Sequence, residues 1–168
     1  MLGLATGKEH RVEHIWAPWR MAYIMSDKPD GCILCSKPGE NDDAANLILH
    51  RSADNFVMLN AYPYNPGHLL VAPYRHVASF EELAPGELHD HIDTVSRCIR
   101  ALREAFDPAG FNVGANIGKV AGAGIADHVH SHILPRWQGD VNFMPALADT
   151  RVIPEALADT YRRLAGKF

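Results

Sequence analysis

The chain has 168 residues, 47% apolar and 21% charged, which fits one domain with a core of its own and no membrane span. Its net charge of −4 argues against a broad nucleic-acid footprint, so an anionic ligand needs a local site. Three cysteines, two of them in "CILC", and a start without a signal-peptide pattern argue against a secreted disulfide framework; a reducing, cytoplasmic setting is expected.

In chain order, residues 1–45 are irregular by pattern and include the loop "SDKPDGCILCSKPGENDDAAN". "NLILHR" and "NFVMLN" read as two short strands joined by "SAD". "GHLLVAP" is a third strand, opened by Pro66-Gly67 and closed by Pro73. The next segment places Leu88, Ile92, Val95, Ile99, Leu102 and Phe106 at helical spacing, so an amphipathic helix is expected over 85–107. Pro85 suits its first turn, and Pro108 with Gly110 ends it. "GFNVGANI" and "HVHSHILP" read as the fourth and fifth strands. "IPEALADTYRRLAGKF" reads as a C-terminal helix. The order predicts an α+β fold, with a mainly antiparallel sheet of five strands and one long helix on it. The whole chain reads as a single domain. Residues 1–30 are an N-terminal arm and 138–168 a C-terminal extension.

Residues 128–132 hold three histidines at alternate positions. On a strand, His128, His130 and His132 share one face, with Val129, Ser131 and Ile133 on the other. Such a row fits a solvated face, a metal site, or a phosphate-handling site in which one imidazole attacks phosphorus. The flanks favour the last. Upstream, "NIGKVAGAGIADH" leaves backbone bare at Gly122 and Gly124, whose N–H groups could cradle an anion. Downstream, Arg136 and Trp137 follow directly. Trp137 either stacks on a base or packs under the C-terminal segment.

"HVHSHIL" resembles the signature of the histidine triad (HIT) family, and "NPGHLLVAP" resembles that family's upstream Pro-Gly-His strand. The likeness covers roughly residues 30 to 137. "LNAYPYNPGHLLVAPYRHV", "GFNVGANIG" and "HILPRWQGDVNF" are most similar to the branch with diadenosine polyphosphate phosphorylases and hydrolases. Two positions depart from the pattern. Ser131 stands where the signature is apolar; it points away from the site, so little effect on chemistry is expected. Gly124-Ile125 stands where many relatives carry a Gln-Ser or Gln-Thr pair, which removes side-chain donors to phosphate.

The resemblance implies a nucleotide hydrolase or transferase acting on a dinucleoside polyphosphate or another adenosine phosphate ester. It makes His130 the nucleophile that forms a nucleotidyl-histidine, with water or orthophosphate as the acceptor. It puts His132 on the phosphate or the leaving oxygen, and His68 behind the triad. It places Asn60 at the ribose hydroxyls and Asn116 near the bridging phosphate. It also implies a homodimer. The alternative reading is a non-catalytic, zinc-stabilised nucleotide-binding protein.

Cys32 and Cys35 have a two-residue spacing that suits one metal but completes no site alone. The resemblance supplies His76 and His128 as partners, for one structural zinc; His50 is the rival fourth ligand. Cys98 reads as core, and His10, His14, His89 and His91 as solvated. Trp16, Trp19 and Arg20 read as anchors of the N-terminal arm, with contact to a second nucleoside as the alternative.

Overall fold

A computed structural model describes residues 31–140 and 155–168. Trp16, Trp19, Arg20, His10 and His14 lie outside these residues. Five strands form one sheet: β1 (Ile48–Arg51), β2 (Asn55–Leu59), β3 (Leu69–Pro73), β4 (Gly110–Ala115) and β5 (Ser131–Arg136). Their order is β1-β2-β3-β5-β4, and every neighbouring pair is antiparallel. Three helices accompany them among the described residues: α1 (Ile33–Gly39), α2 (Pro85–Phe106) and α3 (Leu157–Leu164). The expected α+β architecture is present. No helix among the described residues is long and apolar enough to cross a membrane.

β2 and β3 are buried on both faces, which is why they read as nearly continuous apolar runs. Val57, Leu59, Leu69, Val71 and Ile133 face Val95, Cys98 and Leu102 of α2, and Leu164 of α3 joins them. Phe56, Met58, Leu70 and Ala72 face the other way, where Leu34 of α1 covers them. The alternation of strand side chains therefore makes two cores, one on each side of the sheet. Cys98 is fully buried in the first, as expected.

Gly67 shows why Pro-Gly-His opens β3. Its φ is +76°, and a Cβ there would lie 3.0 Å from Leu102 Cδ2 and 3.2 Å from Pro135 Cγ. A side chain there would be strained by the positive φ and would press on Leu102 and Pro135, next to His68.

Three expectations are corrected. Residues 33–39 form a helix and not a loop: Ile33 and Leu34 dock on the second core, and tertiary packing outweighs Pro38 and Gly39. The buried face of α2 is also turned from the expected stripe. Leu88 and Ile92 are 38% and 61% exposed, while His91 and Thr94 are fully buried. The first half of the helix packs on polar side chains of β2 and β5, so its apolar positions there look outward. Finally, the β5 ladder starts at Ser131, leaving His128–His130 as a lead-in held by Val129 N–H to Val77 O at 2.7 Å.

Candidate active site and metal centre

The alternating row places Val129 in a small core with Val77 and Leu83, and Ile133 in the α2 core. The three histidines face the opposite side. His130 is 5% exposed, and its Nδ1 lies 2.9 Å from the carbonyl oxygen of His128. A carbonyl only accepts, so Nδ1 carries the proton and Nε2 is left with its lone pair. Burial lowers the His130 pKa, which keeps the ring neutral.

A second chain of contacts fixes His132. The Tyr64 backbone N–H donates to His68 Nδ1 at 3.2 Å, and the Asn60 amide nitrogen lies 3.3 Å from the same atom. Asn60 Oδ1 accepts from Tyr62 N–H, so its NH2 group is the one turned to His68. His68 Nδ1 is therefore an acceptor and Nε2 a donor. His68 Nε2 sits 2.9 Å from His132 Nδ1, which makes His132 Nε2 a donor in turn. The site thus presents one bare imidazole nitrogen beside one imidazole N–H, with ring centroids 4.9 Å apart. That pair suits attack on a phosphorus and donation to one of its oxygens.

Both rings border a cavity of about 110 Å³. Its apolar walls include Ile33, Met58, Leu70 and Ile125, and its polar end includes Asn60, Asn116, Gly122 and Gly124. Gly122 ends a short 3-10 turn at φ +85° with open space where a side chain would stand. Trp137 is not among the lining residues. Its indole Nε1 donates to Phe106 O at 3.4 Å, at the end of α2. Lys37, which sequence reading did not single out, is the one lysine, arginine or carboxylate among the described residues that line the cavity. It lies one turn beyond Ile33 on α1, and the missed helix hid both.

One ligand atom from each of Cys32, Cys35, His76 and His128 lies within 4.8 Å of the others. Cys32 Sγ is 3.3 Å from His128 Nδ1; Cys35 Sγ is 3.2 Å from His76 Nδ1 and 3.4 Å from His128 Nδ1. Tetrahedral zinc with ordinary Zn–S and Zn–N bonds separates its ligand atoms by roughly 3.3–3.8 Å, close to these spacings, so the donor set suits such an ion. His128 Nε2–H donates to Pro73 O at 2.8 Å, which turns a bare Nδ1 toward the sulfurs, as a metal-ligating histidine requires. His50 is elsewhere, stacked on Phe168 at 5.5 Å. All three cysteines are free thiols.

The geometry and the sequence meet in the comparisons. The family model of the HIT domain matches residues 41–139. The chain belongs to the histidine triad family. This HIT protein is 36% identical over 170 residues to an AP-4-A phosphorylase of Mycobacterium tuberculosis, covering 96% of the chain and 87% of that protein. Among solved structures, it is similar to a hypothetical histidine triad nucleotide-binding protein from Sulfolobus tokodaii, with TM-score 0.62 and 26% identity over 79% of this chain and 91% of that one. A zinc-bound histidine triad family protein from Mycobacterium smegmatis shares the fold, with TM-score 0.65 and 23% identity over 82% and 92%.

The expectation that His91 is solvated is overturned. It is fully buried on α2, with Nδ1 2.7 Å from Asn55 Oδ1 and Nε2 2.8 Å from Ser131 Oγ. Burial lowers its pKa to about 4, against the pull of Asp90. Burial first, then His132 and His130, lower His68 to about 3. Both values lie below the ordinary 6.5, so each group's contribution to stability is fully present above pH 6.5. As pH falls, the unfolded chain takes up protons first, and stability declines through about pH 4 and then about pH 3. Each histidine should add a slope of about 1.4 kcal/mol per pH unit inside its window. Denaturant titrations between pH 7.5 and 4 check this. His91→Leu should remove about one proton's worth of the slope; an unchanged slope would contradict the assignment.

Proposed function

We propose that this HIT protein cleaves a dinucleoside polyphosphate or related adenosine phosphate ester through a nucleotidyl-His130 intermediate. The observation that carries this reading is the His130 Nδ1–H bond to His128 O, which leaves Nε2 as a neutral nucleophile at the cavity. The likeness to an AP-4-A phosphorylase over nearly the whole chain points to the substrate class.

In the first step the Nε2 lone pair forms a bond to the α-phosphorus, and the bond from phosphorus to the leaving polyphosphate oxygen breaks. The imidazole gains positive charge, which the Nδ1–H contact to the His128 carbonyl stabilises. His132 Nε2–H donates to a phosphoryl or leaving oxygen. The Gly122 N–H is taken by Lys119 O at 3.0 Å, so the bare backbone at Gly124 is what borders the remaining negative charge, while Asn60 and Asn116 orient ribose and phosphate. In the second step water or orthophosphate attacks phosphorus, the P–N bond breaks, and Nε2 regains its lone pair. Two displacements replace one harder displacement. The apolar walls suit a nucleobase. Trp137 lies outside this scheme.

The Cys32, Cys35, His76 and His128 set is read as one structural zinc site, which cross-links α1, the segment after β3 and the lead-in to β5. We read the assembly as a cytoplasmic homodimer of a single-domain chain. Among the described residues β4 has no further strand on its outer edge, Val113 is 49% exposed on the α2 side, and Leu88 and Ile92 are exposed on α2 itself.

A panel of adenylyl compounds, each with and without orthophosphate and with products separated by chromatography, tests the reading. Dinucleoside polyphosphate should disappear. A nucleoside monophosphate product marks water as acceptor, and a nucleoside diphosphate formed only with added phosphate marks phosphorolysis. No consumption of any adenylyl compound under either condition would overturn the proposal.

A further inference from the structure

Ser131 stands between His130 and His132 on the opposite face of the strand. It is the first residue of β5 and is in register with both neighbours, paired with Val71 of β3 and Ala115 of β4. His130 is the first residue beyond that ladder. The side chain of Ser131 is 6% exposed and touches His91 of α2.

The proton directions from Asn55 through His91 to Ser131 follow from their partners. The Asn55 amide NH2 donates to Asp90 Oδ2 at 2.7 Å and to Glu87 O at 3.3 Å, so Asn55 Oδ1 is the acceptor for His91 Nδ1–H. His91 Nε2 is then an acceptor, and the Ser131 hydroxyl donates to it. Asp90 Oδ2 also takes the Ser52 hydroxyl at 2.7 Å and the Asp54 N–H at 3.1 Å, and the Thr94 hydroxyl lies 3.2 Å from Ser52 Oγ. Among the described residues no buried side-chain nitrogen or oxygen lacks a partner. Such a network is costly unless complete, and when complete it holds one arrangement against close alternatives. A nucleophile–His–Asn order also occurs in papain-like hydrolases, with Cys in place of Ser, but here His91 and Asn55 are fully buried and the cavity lies on the other face of the sheet.

We propose that the buried Asn55–His91–Ser131 relay is a positioning device for the reacting histidines: it clamps β5 to α2 and β2 at the point where His130 leaves the ladder. The clamp holds the lead-in so that His130 Nδ1–H keeps its bond to His128 O and Nε2 stays aimed at the cavity. Ser131, Asn55 and His91 are positioning residues and touch no substrate. The kinetic side of this inference rests on the proposed cleavage reaction.

The test compares Ser131→Thr with Ser131→Val, two side chains of nearly equal volume that differ in the hydroxyl. The double variant His91→Leu with Ser131→Val replaces the polar pair by an apolar one, and stands in if Ser131→Val alone does not fold. Turnover of a dinucleoside polyphosphate is measured well below each melting temperature. Imidazole 15N spectra at pH 8 report the tautomer of His130. The Thr variant should keep kcat within about threefold, while the Val and double variants lose about tenfold in kcat at little-changed KM, the scale expected for misaimed reacting groups. The double variant should regain melting temperature relative to Ser131→Val without regaining kcat, and its Nδ1–H signal for His130 should weaken. Wild-type kcat and an unchanged His130 tautomer in the double variant would overturn the proposal and leave the relay as packing. If wild-type protein turns over no dinucleoside polyphosphate, the cleavage reading fails, and the spectra alone still decide the relay.

Discussion

His130→Ala abolishes turnover while nucleotide binding persists: that is the expected result for a side chain that is 5% exposed and contributes its only bare nitrogen to the cavity. Deleting a covalent nucleophile removes a pathway, so the loss should be on the order of 10⁴-fold or more in kcat. The apolar walls and the polar end of the cavity remain, because Met58, Leu70, Asn60 and Asn116 stand on other segments. Binding of adenosine monophosphate by calorimetry should therefore stay within about tenfold, a loss of about 1.4 kcal/mol. His68→Ala should cost less than His130→Ala. It removes the donor to His132 Nδ1 at 2.9 Å and frees that ring to change tautomer, but leaves the nucleophile in place. Near-normal turnover in His130→Ala would point to another attacking group, or to a water displacing the leaving group directly. Turnover lost together with binding would instead make His130 a residue that shapes the pocket and would leave the nucleophile unassigned.

The second large effect concerns the metal. Protein purified without chelator should contain about one zinc per chain. Cys32→Ser should lower stability by about 4 kcal/mol, less than the binding energy of an isolated zinc peptide because this fold has two apolar cores of its own. For a chain of 168 residues that is a fall of roughly 8–16 °C in melting temperature. Catalysis at 25 °C should suffer less. The contact that fixes the His130 tautomer is made by the backbone oxygen of His128, and the His128 lead-in is also held by Val129 N–H to Val77 O. His76→Ala should lose the metal, and His50→Ala should keep it, since His50 stacks on Phe168 away from the cluster. Absence of zinc from the wild-type protein, or its loss in His50→Ala with retention in His76→Ala, would contradict the assignment.

Local signals carried the sheet, the long helix and the triad row. The strands are short runs bounded by turn residues, and α2 repeats at helical spacing, so each can be read without knowing what it packs against. The Pro-Gly-His step could be read in the same way, because the φ of +76° at Gly67 leaves its mark as a glycine. The metal cluster was legible only through resemblance. Cys32, His76 and His128 lie far apart in the chain, and nothing local joins them. Ser131 was read as facing away from the site, which it does, but its partner His91 was read as solvated. To see that pair, one must know which turn of α2 crosses β5, and the sequence pattern of α2 pointed to Leu88 and Ile92 instead. Those two are exposed because the polar relay occupies the face they would have filled. Helix α1 was hidden for a related reason. Seven residues with Pro38 and Gly39 at the end have little helical signal of their own, and docking of Leu34 on the second core supplies it. Lys37 was lost with that helix. Trp137 allows two readings from its place after the triad, stacking on a base or packing, and its indole Nε1 donates to Phe106 O at the end of α2.

The central claim is the covalent bond to His130, and one measurement meets it directly. The protein is mixed with a dinucleoside polyphosphate, quenched in base, and its mass is taken before and after acidification. The account predicts a mass excess of one nucleoside monophosphate in base, its loss in acid as befits a histidine phosphoramidate, and a peptide map that places it on His130. An adduct on His128 or His132, or none during active turnover with the same excess absent at every quench time, would contradict it.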